Sequence, residues 1–238
     1  MQLYFIRHAQ SVNNKLYDET GTWNGRDTDP DLTDLGHEQA RRLAEHVACA
    51  NGATVHRDYV NRSAFGFTHL YSSLMVRALA TASYVSTALN LPLVVWEDLH
   101  EVGGVFVIDD ETGERIGQPG RPRSELAARF PRAELPPTLS ESGWWDRPHE
   151  SVKEQTRRAK RFVNDLLERH GGTDDRVAIV SHGGFYNLVL AVLLGIQVDN
   201  GFWFSMNNTG ITRINFAPEG VGLAYANRLE HLPAELIT

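Results

Sequence analysis

Three short stretches, far apart in the chain, end in the same kind of chemistry. Leu3-Tyr4-Phe5-Ile6 leads into Arg7-His8-Ala9-Gln10-Ser11 with Asn14; Thr68-His69-Leu70-Tyr71 leads into Ser72-Ser73 and then Arg77; Arg176 to Val180 leads into Ser181-His182-Gly183-Gly184. Guanidinium groups offer bidentate donors to phosphate or carboxylate, and imidazole works as nucleophile or proton carrier near neutral pH. A Gly-rich turn ahead of a helix presents free backbone N–H groups. Two arginines, two histidines and such a turn make a phosphate pocket if the three ends meet. Each stretch taken singly has a plainer reading, a core strand followed by a polar turn or a satisfied core histidine.

The meeting requires a sheet. Apolar, β-favouring runs of four to six residues alternate here with amphipathic segments, the pattern of an α/β fold with a mostly parallel central sheet and helices on both faces, a three-layer sandwich. In such sheets strand carboxyl ends converge on one edge. Thr33 is positioned as N-cap of a helix whose apolar face is Leu35, Ala40, Leu43, Ala44 and Val47, with Cys49 near its end as a small packed residue. Helices are expected over Met75 to Leu89, Glu150 to His170 and Phe185 to Leu194, and strands over Leu91 to Trp96, Ile211 to Phe216 and Gly222 to Asn227. Lys15 to Asp31, which contains Trp23-Asn24-Gly25-Arg26-Asp27, reads as a polar loop, and Asn51 to Phe67 as a mixed connection. Gly103 to Pro148 is rich in Gly, Pro and Arg. It holds Val105 to Ile108, a hairpin turn at Asp110-Glu111-Thr112-Gly113 and a short helix at Ser124 to Phe130. It reads as an inserted lid on a single domain spanning residues 1–238. From Leu229 a loosely docked tail is expected.

Composition narrows the class. With 42% hydrophobic and 22% charged residues the 238-residue chain has the balance of a soluble globular protein. A formal charge of −7 argues against a nucleic-acid face. No apolar run is long enough to span a bilayer, so no membrane partner is expected. One cysteine excludes an internal disulfide framework and suits the cytoplasm. Only Lys15, Lys153 and Lys160 are lysines among 23 basic residues, so the cationic chemistry is overwhelmingly that of arginine.

Arg7-His8-Ala9-Gln10-Ser11 with Asn14, Leu32-Thr33 with Gly36 and Gln39-Ala40, Ser72-Ser73 with Arg77-Ala78 and Thr81-Ala82, Glu101, and Ser181-His182-Gly183 together resemble the histidine phosphatase superfamily, on its phosphoglycerate mutase-like branch. The resemblance runs through nearly the whole chain in order and is weakest across the insert. Ala9 and Gln10 stand where the commonest pattern has Gly and Glu.

The resemblance implies the phosphoglycerate mutase-like fold and a phosphohistidine intermediate, with no cofactor and no metal. His8 would be the nucleophile. Arg7 and Arg77 would neutralise the phosphoryl oxygens, and His182, if protonated, would add a third cation. Ser11, Asn14, Gly183, Asn24 and Arg26 are the further phosphate or substrate contacts, although Ser11 equally suits a cap on the following turn. Glu101 is the expected general acid, on resemblance, with His100 its rival. Trp144-Trp145 suits either the cleft or the core. Arg121, Arg123 and Arg147 read as surface residues, and His37, His46, His56, His69, His149, His170 and His231 as ordinary ones.

Other phosphatase chemistries lack their residues. Cys49 has Val55 where a cysteine phosphatase needs Arg, no lysine follows a glycine as a P-loop demands, and no paired histidines have zinc spacing. Within the family the choice is between hydrolase and mutase. The mutase signature carries a substrate-binding Arg and Tyr beside the acid, whereas this chain has Leu99-His100-Glu101-Val102-Gly103-Gly104. That departure favours a phosphomonoester hydrolase acting on a small phosphorylated metabolite. A mutase-type phosphotransferase is the alternative, and a non-catalytic phospho-ligand binder the second. The oligomeric state is open, a homodimer being one option.

Overall fold

The computed structural model describes residues 1–49, 58, 60–61, 63–109, 111–145, 147–197 and 201–238. Strand β1 (Gln2–Arg7) runs into helix α1 (Val12–Thr20), followed by α2 (Asp34–Ala48), β2 (His69–Ser72), α3 (Val76–Leu89) and β3 (Leu93–Val95). The insert supplies β4 (Phe106–Ile108), β5 (Arg115–Gly117), α4 (Arg123–Arg129) and β6 (Ala133–Glu134). The chain then forms α5 (Val152–His170), β7 (Arg176–Ser181), α6 (Gly183–Leu194), β8 (Ile211–Ala217) and β9 (Gly220–Arg228).

Seven strands form one sheet in the order β6-β3-β2-β7-β1-β8-β9. The pairs from β6 to β1 are parallel, and β8 and β9 close the far edge antiparallel. Alternation along β1 shows why both faces are covered. Tyr4 and Ile6 enter the core shared with α2 and α3, while Leu3 and Phe5 enter the core shared with α5 and α6. Ala178 and Val180 of β7 join the first core, and Val177 and Ile179 the second. The result is the expected three-layer α/β sandwich.

The register aligns the chemistry. Arg7 pairs with Ser181 across β1 and β7, and Ser72 pairs with Val180 across β2 and β7. The next residues, His8, Ser73 and His182, therefore emerge side by side at the carboxyl edge.

Four local readings change. The polar loop begins as a helix: Ser11 caps α1 by accepting the Asn14 N–H at 3.3 Å, and the Asn14 side chain accepts the Ser11 N–H at 3.1 Å. A reciprocal cap makes a short helix without an apolar stripe possible. Cys49 is exposed at the end of α2 rather than packed. The tail is tied down, with the Leu236 carbonyl accepting from Gln39 Nε2 at 2.8 Å and the Thr238 carbonyl accepting from the Asn208 N–H at 2.8 Å. The insert adds β6 to the sheet edge, two residues too short to have a periodicity. Its hairpin, with β4 and β5 antiparallel, is as expected, although Asp110 in the turn and most of Asn51 to Phe67 lie outside the described residues.

Candidate active site

The loop after β1 is held by the two helices beneath it. Ala9 N–H donates to Thr81 Oγ1 at 3.0 Å, and Gln10 N–H to Gln39 Oε1 at 2.8 Å. Thr33 N–H and hydroxyl return to Gln10, to its carbonyl at 3.0 Å and its side chain at 2.7 Å. At Gly36 even a Cβ would sit 2.1 Å from the Gln10 carbonyl oxygen, so only glycine lets α2 approach so closely. Asn208 Nδ2 donates to the His8 carbonyl at 2.8 Å from the opposite side.

This scaffold fixes the state of His8. Its Nδ1 lies 2.7 Å from the Ala9 carbonyl, and a carbonyl only accepts, so Nδ1 carries the proton. Nε2 is then the lone-pair nitrogen, and it accepts the Arg77 Nε–H at 3.2 Å. Burial, with Arg77 and Arg7 close by, holds the His8 pKa well below the usual imidazole value. His8 is an oriented imidazole that disfavours the charged form, with its Nε2 lone pair at the cleft. His182 stands beside it, ring centroids 5.1 Å apart, wholly buried with Nε2 3.0 Å from Ser73 Oγ. Its pKa is likewise held well below the usual value, first by burial and then by Arg77, which disfavours the protonated form that a third cation requires. Its Nδ1 has no hydrogen-bond partner among the described residues.

Arg7, His8, Ser11, Asn14, Arg26, Arg77, Glu101 and Gly183 all line one cleft of about 380 Å³. His182 contributes from behind that surface rather than at it. Asn24 is not in the cleft. The turn closes through the Arg26 N–H to the Trp23 carbonyl at 3.2 Å, and Trp23 and Arg26 reach the cleft while Asn24 stays exposed. Ser11 lines the cleft, but its hydroxyl donates to Asn14 Oδ1 at 3.0 Å, which makes it chiefly the cap of α1.

Glu101 lies against the N-terminus of α6. Oε1 accepts from Val102 N–H at 2.8 Å and Phe185 N–H at 3.0 Å, and Oε2 from Gly184 N–H at 3.2 Å. A Cβ on residue 184 would lie 2.4 Å from Oε1, so Gly184 is what admits the carboxylate. His100, the rival acid, is buried. Its Nδ1 donates to the Glu101 carbonyl at 2.8 Å, and its ring packs on Trp144 and Trp145 outside the cleft lining. Trp145 belongs to the core with Met75 and Val105.

Several residues in or behind the cleft carry no sequence signal. Asp29, fully buried, lies 3.7 Å from Arg77 Nη1 and accepts the Val76 N–H at 3.0 Å, so it both caps α3 and balances Arg77. Met206 supplies the carbonyl, 2.5 Å away, that receives Arg7 Nη1. Arg115 from the insert and His149 just beyond it, the latter read as ordinary, reach the outer cleft, their side chains 3.2 Å apart. Trp203, Phe204 and Phe106 complete the rim. Only the fold reveals these residues, since none has a partner at recognisable spacing.

Burial raises the Asp29 pKa from 3.8 to about 6 despite Arg77. The native state thus holds this proton more tightly than the unfolded chain, and the associated stability is complete below pH 3.8 and lost as pH rises through about 6. Asp29→Asn should remove that dependence. Between pH 4 and pH 7 the unfolding free energy of the variant relative to wild type should gain about 2 kcal/mol, from a shift of roughly two pH units. Urea titrations at both pH values measure it, and a pH-independent difference would mean that Asp29 titrates ordinarily.

Among the described residues one trio, His69, His170 and Asp175, is close enough to share a cation. It sits at the amino ends of β2 and β7, away from the cleft, and both His170 nitrogens are engaged, by Asp175 at 2.8 Å and the Tyr71 hydroxyl at 3.1 Å. No helix among those residues is long and apolar enough to cross a membrane.

A family model described as the histidine phosphatase superfamily (branch 1) matches residues 3–228. A Hydrogenobacter thermophilus protein named "Putative phosphoserine phosphatase 2" is 30% identical over 230 residues, 97% of each chain. The Entamoeba histolytica phosphoserine phosphatase, solved as its H9A mutant with phosphoserine, superposes with a TM-score of 0.60 at 22% identity, covering 98% of this chain and 99% of that one. Yersinia pestis proteins named as probable phosphoglycerate mutases are 23% identical over 216 residues, 91% of this chain and 85% of theirs.

Proposed function

The chain belongs to the histidine phosphatase superfamily and is a phosphatase, and we propose that it hydrolyses small phosphomonoesters that carry a carboxylate, through a phosphorylated His8. The observation that carries the nucleophile is the pair of hydrogen bonds on one ring, which leave Nε2 unprotonated and facing a guanidinium. In the first step the Nε2 lone pair attacks phosphorus, the bond to the leaving oxygen breaks, and Glu101 gives that oxygen its proton. In the second, water attacks the phosphoryl group, Glu101 takes the proton of the water, the N–P bond breaks and phosphate leaves. Arg7, Arg77, Asn14 and the Gly183 N–H at the start of α6 steady the phosphoryl oxygens.

The carboxylate preference rests on the outer cleft. Arg26 lies 4.2 Å from the Phe106 ring centroid and Arg115 lies 5.7 Å from it, beside His149. Burial first, and then Arg77 and Arg115, pull the Arg26 pKa down to about 10 against the opposing pull of Glu101 and Asp27. A phosphate at His8 leaves these cations for a second anionic group. Phosphoserine, named in two of the relatives, has one. The insert from Gly103 to Pro148 would thereby choose the substrate as part of the same domain. The cytoplasm, a compartment where one lone cysteine stays reduced, completes the proposal.

Phosphoserine and phosphoethanolamine, which differ by that carboxylate, provide the test. Wild type should prefer phosphoserine by about 10- to 100-fold in kcat/KM, the worth of a charge-assisted hydrogen bond or two. Arg26→Ala and Arg115→Ala should each shrink the ratio and leave phosphoethanolamine turnover nearly unchanged. Equal turnover of the two by wild type would reject the carboxylate preference. Bisphosphoglycerate-dependent isomerisation of phosphoglycerate without phosphate release would favour the mutase instead, against the missing Arg and Tyr beside Glu101.

A further inference from the structure

Glu101 stands in a loop between a short 3-10 turn, Glu97–Leu99, and β4. The carbonyls flanking it are held from outside. Arg158 Nη1 donates to the Asp98 carbonyl at 2.7 Å and to the His100 carbonyl at 2.8 Å. Ser181, the last residue of β7, donates its hydroxyl to the Leu99 carbonyl at 2.7 Å. On the far side, the Gly103 carbonyl accepts the Glu150 N–H at 3.2 Å.

Arg158 comes from α5 and is 2% exposed. Its Nε and Nη2 grip Glu150 bidentately at 2.9 and 2.7 Å. Its guanidinium lies 4.5 Å from the ring centroid of Phe185, whose N–H is one of those holding Glu101 Oε1. A buried ion pair is poor evidence of stabilisation in itself, because desolvation offsets much of the attraction. The informative feature is where the remaining donor points. The guanidinium reaches one flank of the loop that bears the proton donor, the backbone N–H of its carboxylate partner reaches the other, and neither Arg158 nor Glu150 lines the cleft.

We propose that Arg158 and Glu150 are a positioning pair that sets Glu101 for proton transfer to the leaving group. The inference rests on Glu101 being the proton donor. Displacing the loop would therefore spare substrates that need no proton. A p-nitrophenolate leaves as the anion, whereas the alkoxide of an alkyl phosphate such as phosphoserine does not.

The test uses the full chain carrying Arg158→Met with Glu150→Gln, which removes cation and counter-charge together, and Arg158→Lys, which keeps the buried charge. For the paired variant kcat/KM on the alkyl phosphate should fall roughly 10- to 100-fold, and on p-nitrophenyl phosphate by no more than about threefold, part of the contribution expected of a general acid. Arg158→Lys should show the same selectivity in smaller measure, and it carries the test should the paired variant not fold. In a Glu101→Gln background the paired change should cost nothing more on the alkyl substrate. Equal losses on both substrates, or no loss on either, would overturn the positioning role. Glu101→Gln alone reports on the premise: if it too lacks leaving-group dependence, Glu101 is not the donor and the positioning role goes with it. If it shows that dependence and the pair does not, only the pair is wrongly assigned.

Discussion

His8→Ala is expected to lower kcat by at least about 10⁴-fold, the scale on which loss of a covalent nucleophile is felt, and to abolish the acid-labile phosphoenzyme. The neighbouring imidazole, His182, is a poor replacement for Nε2, being wholly buried with its own Nε2 engaged with Ser73 Oγ at 3.0 Å. Folding should survive, because the backbone contacts of residue 8, from its N–H to the Ser181 carbonyl and from its carbonyl to Asn208, do not involve the side chain. Rapid quenching with labelled substrate, followed by peptide mapping, decides the point. Label on the peptide bearing His8 in wild type and none in the variant is the expected result. Label on the peptide bearing His182, or an undiminished burst in the variant, would remove His8 from the mechanism.

The parts of the site legible in the sequence are those created by strand ends. A strand announces itself by apolar alternation and β-branched residues, and its polar terminus then stands out against it, which is why Arg7, His8, Arg77 and His182 could be named and then found together. Glu101 lies in a loop without periodicity and came only from resemblance. Its place against the backbone N–H groups of α6 is a tertiary fact that no local pattern encodes. Asp29 is hidden for a similar reason: an aspartate in a polar loop reads as solvated until Arg77, 48 positions further along, is folded onto it. Helix α1 was missed because its stability comes from the Ser11–Asn14 cap rather than from an apolar face. Asn24 went the other way, expected in the site but left exposed while its neighbour Arg26 lines the cleft. The insert was read as a lid from composition, but its cationic contribution, Arg115, emerges only when the hairpin folds back over the cleft beside His149.

Arg77→Lys keeps the charge and should nevertheless cost about 10³-fold in kcat/KM, the lower end of what an arginine aimed at a transferring phosphoryl group contributes. The reason is geometric. One planar fork has Nε on His8 Nε2 at 3.2 Å, Nη1 3.7 Å from Asp29 and Nη2 3.1 Å from the Met75 sulfur. Those three fixed directions aim an N–H at His8 Nε2, the atom proposed to take the phosphoryl group, while the far edge stays balanced by a buried carboxylate. An ammonium on a flexible stem can satisfy Asp29 or the phosphoryl oxygens, but not both in register. Because Asp29 is wholly buried, the shorter lysine would be drawn toward it and away from His8. The loss should therefore fall on the transition state more than on binding. Vanadate, which adopts the five-coordinate geometry of the reacting phosphorus, separates the two. Its inhibition constant should rise by a factor approaching the loss in kcat/KM, while that of inorganic phosphate rises by about tenfold or less. Equal weakening of both ions would make Arg77 a general anion anchor instead of a group aimed at the reacting phosphorus.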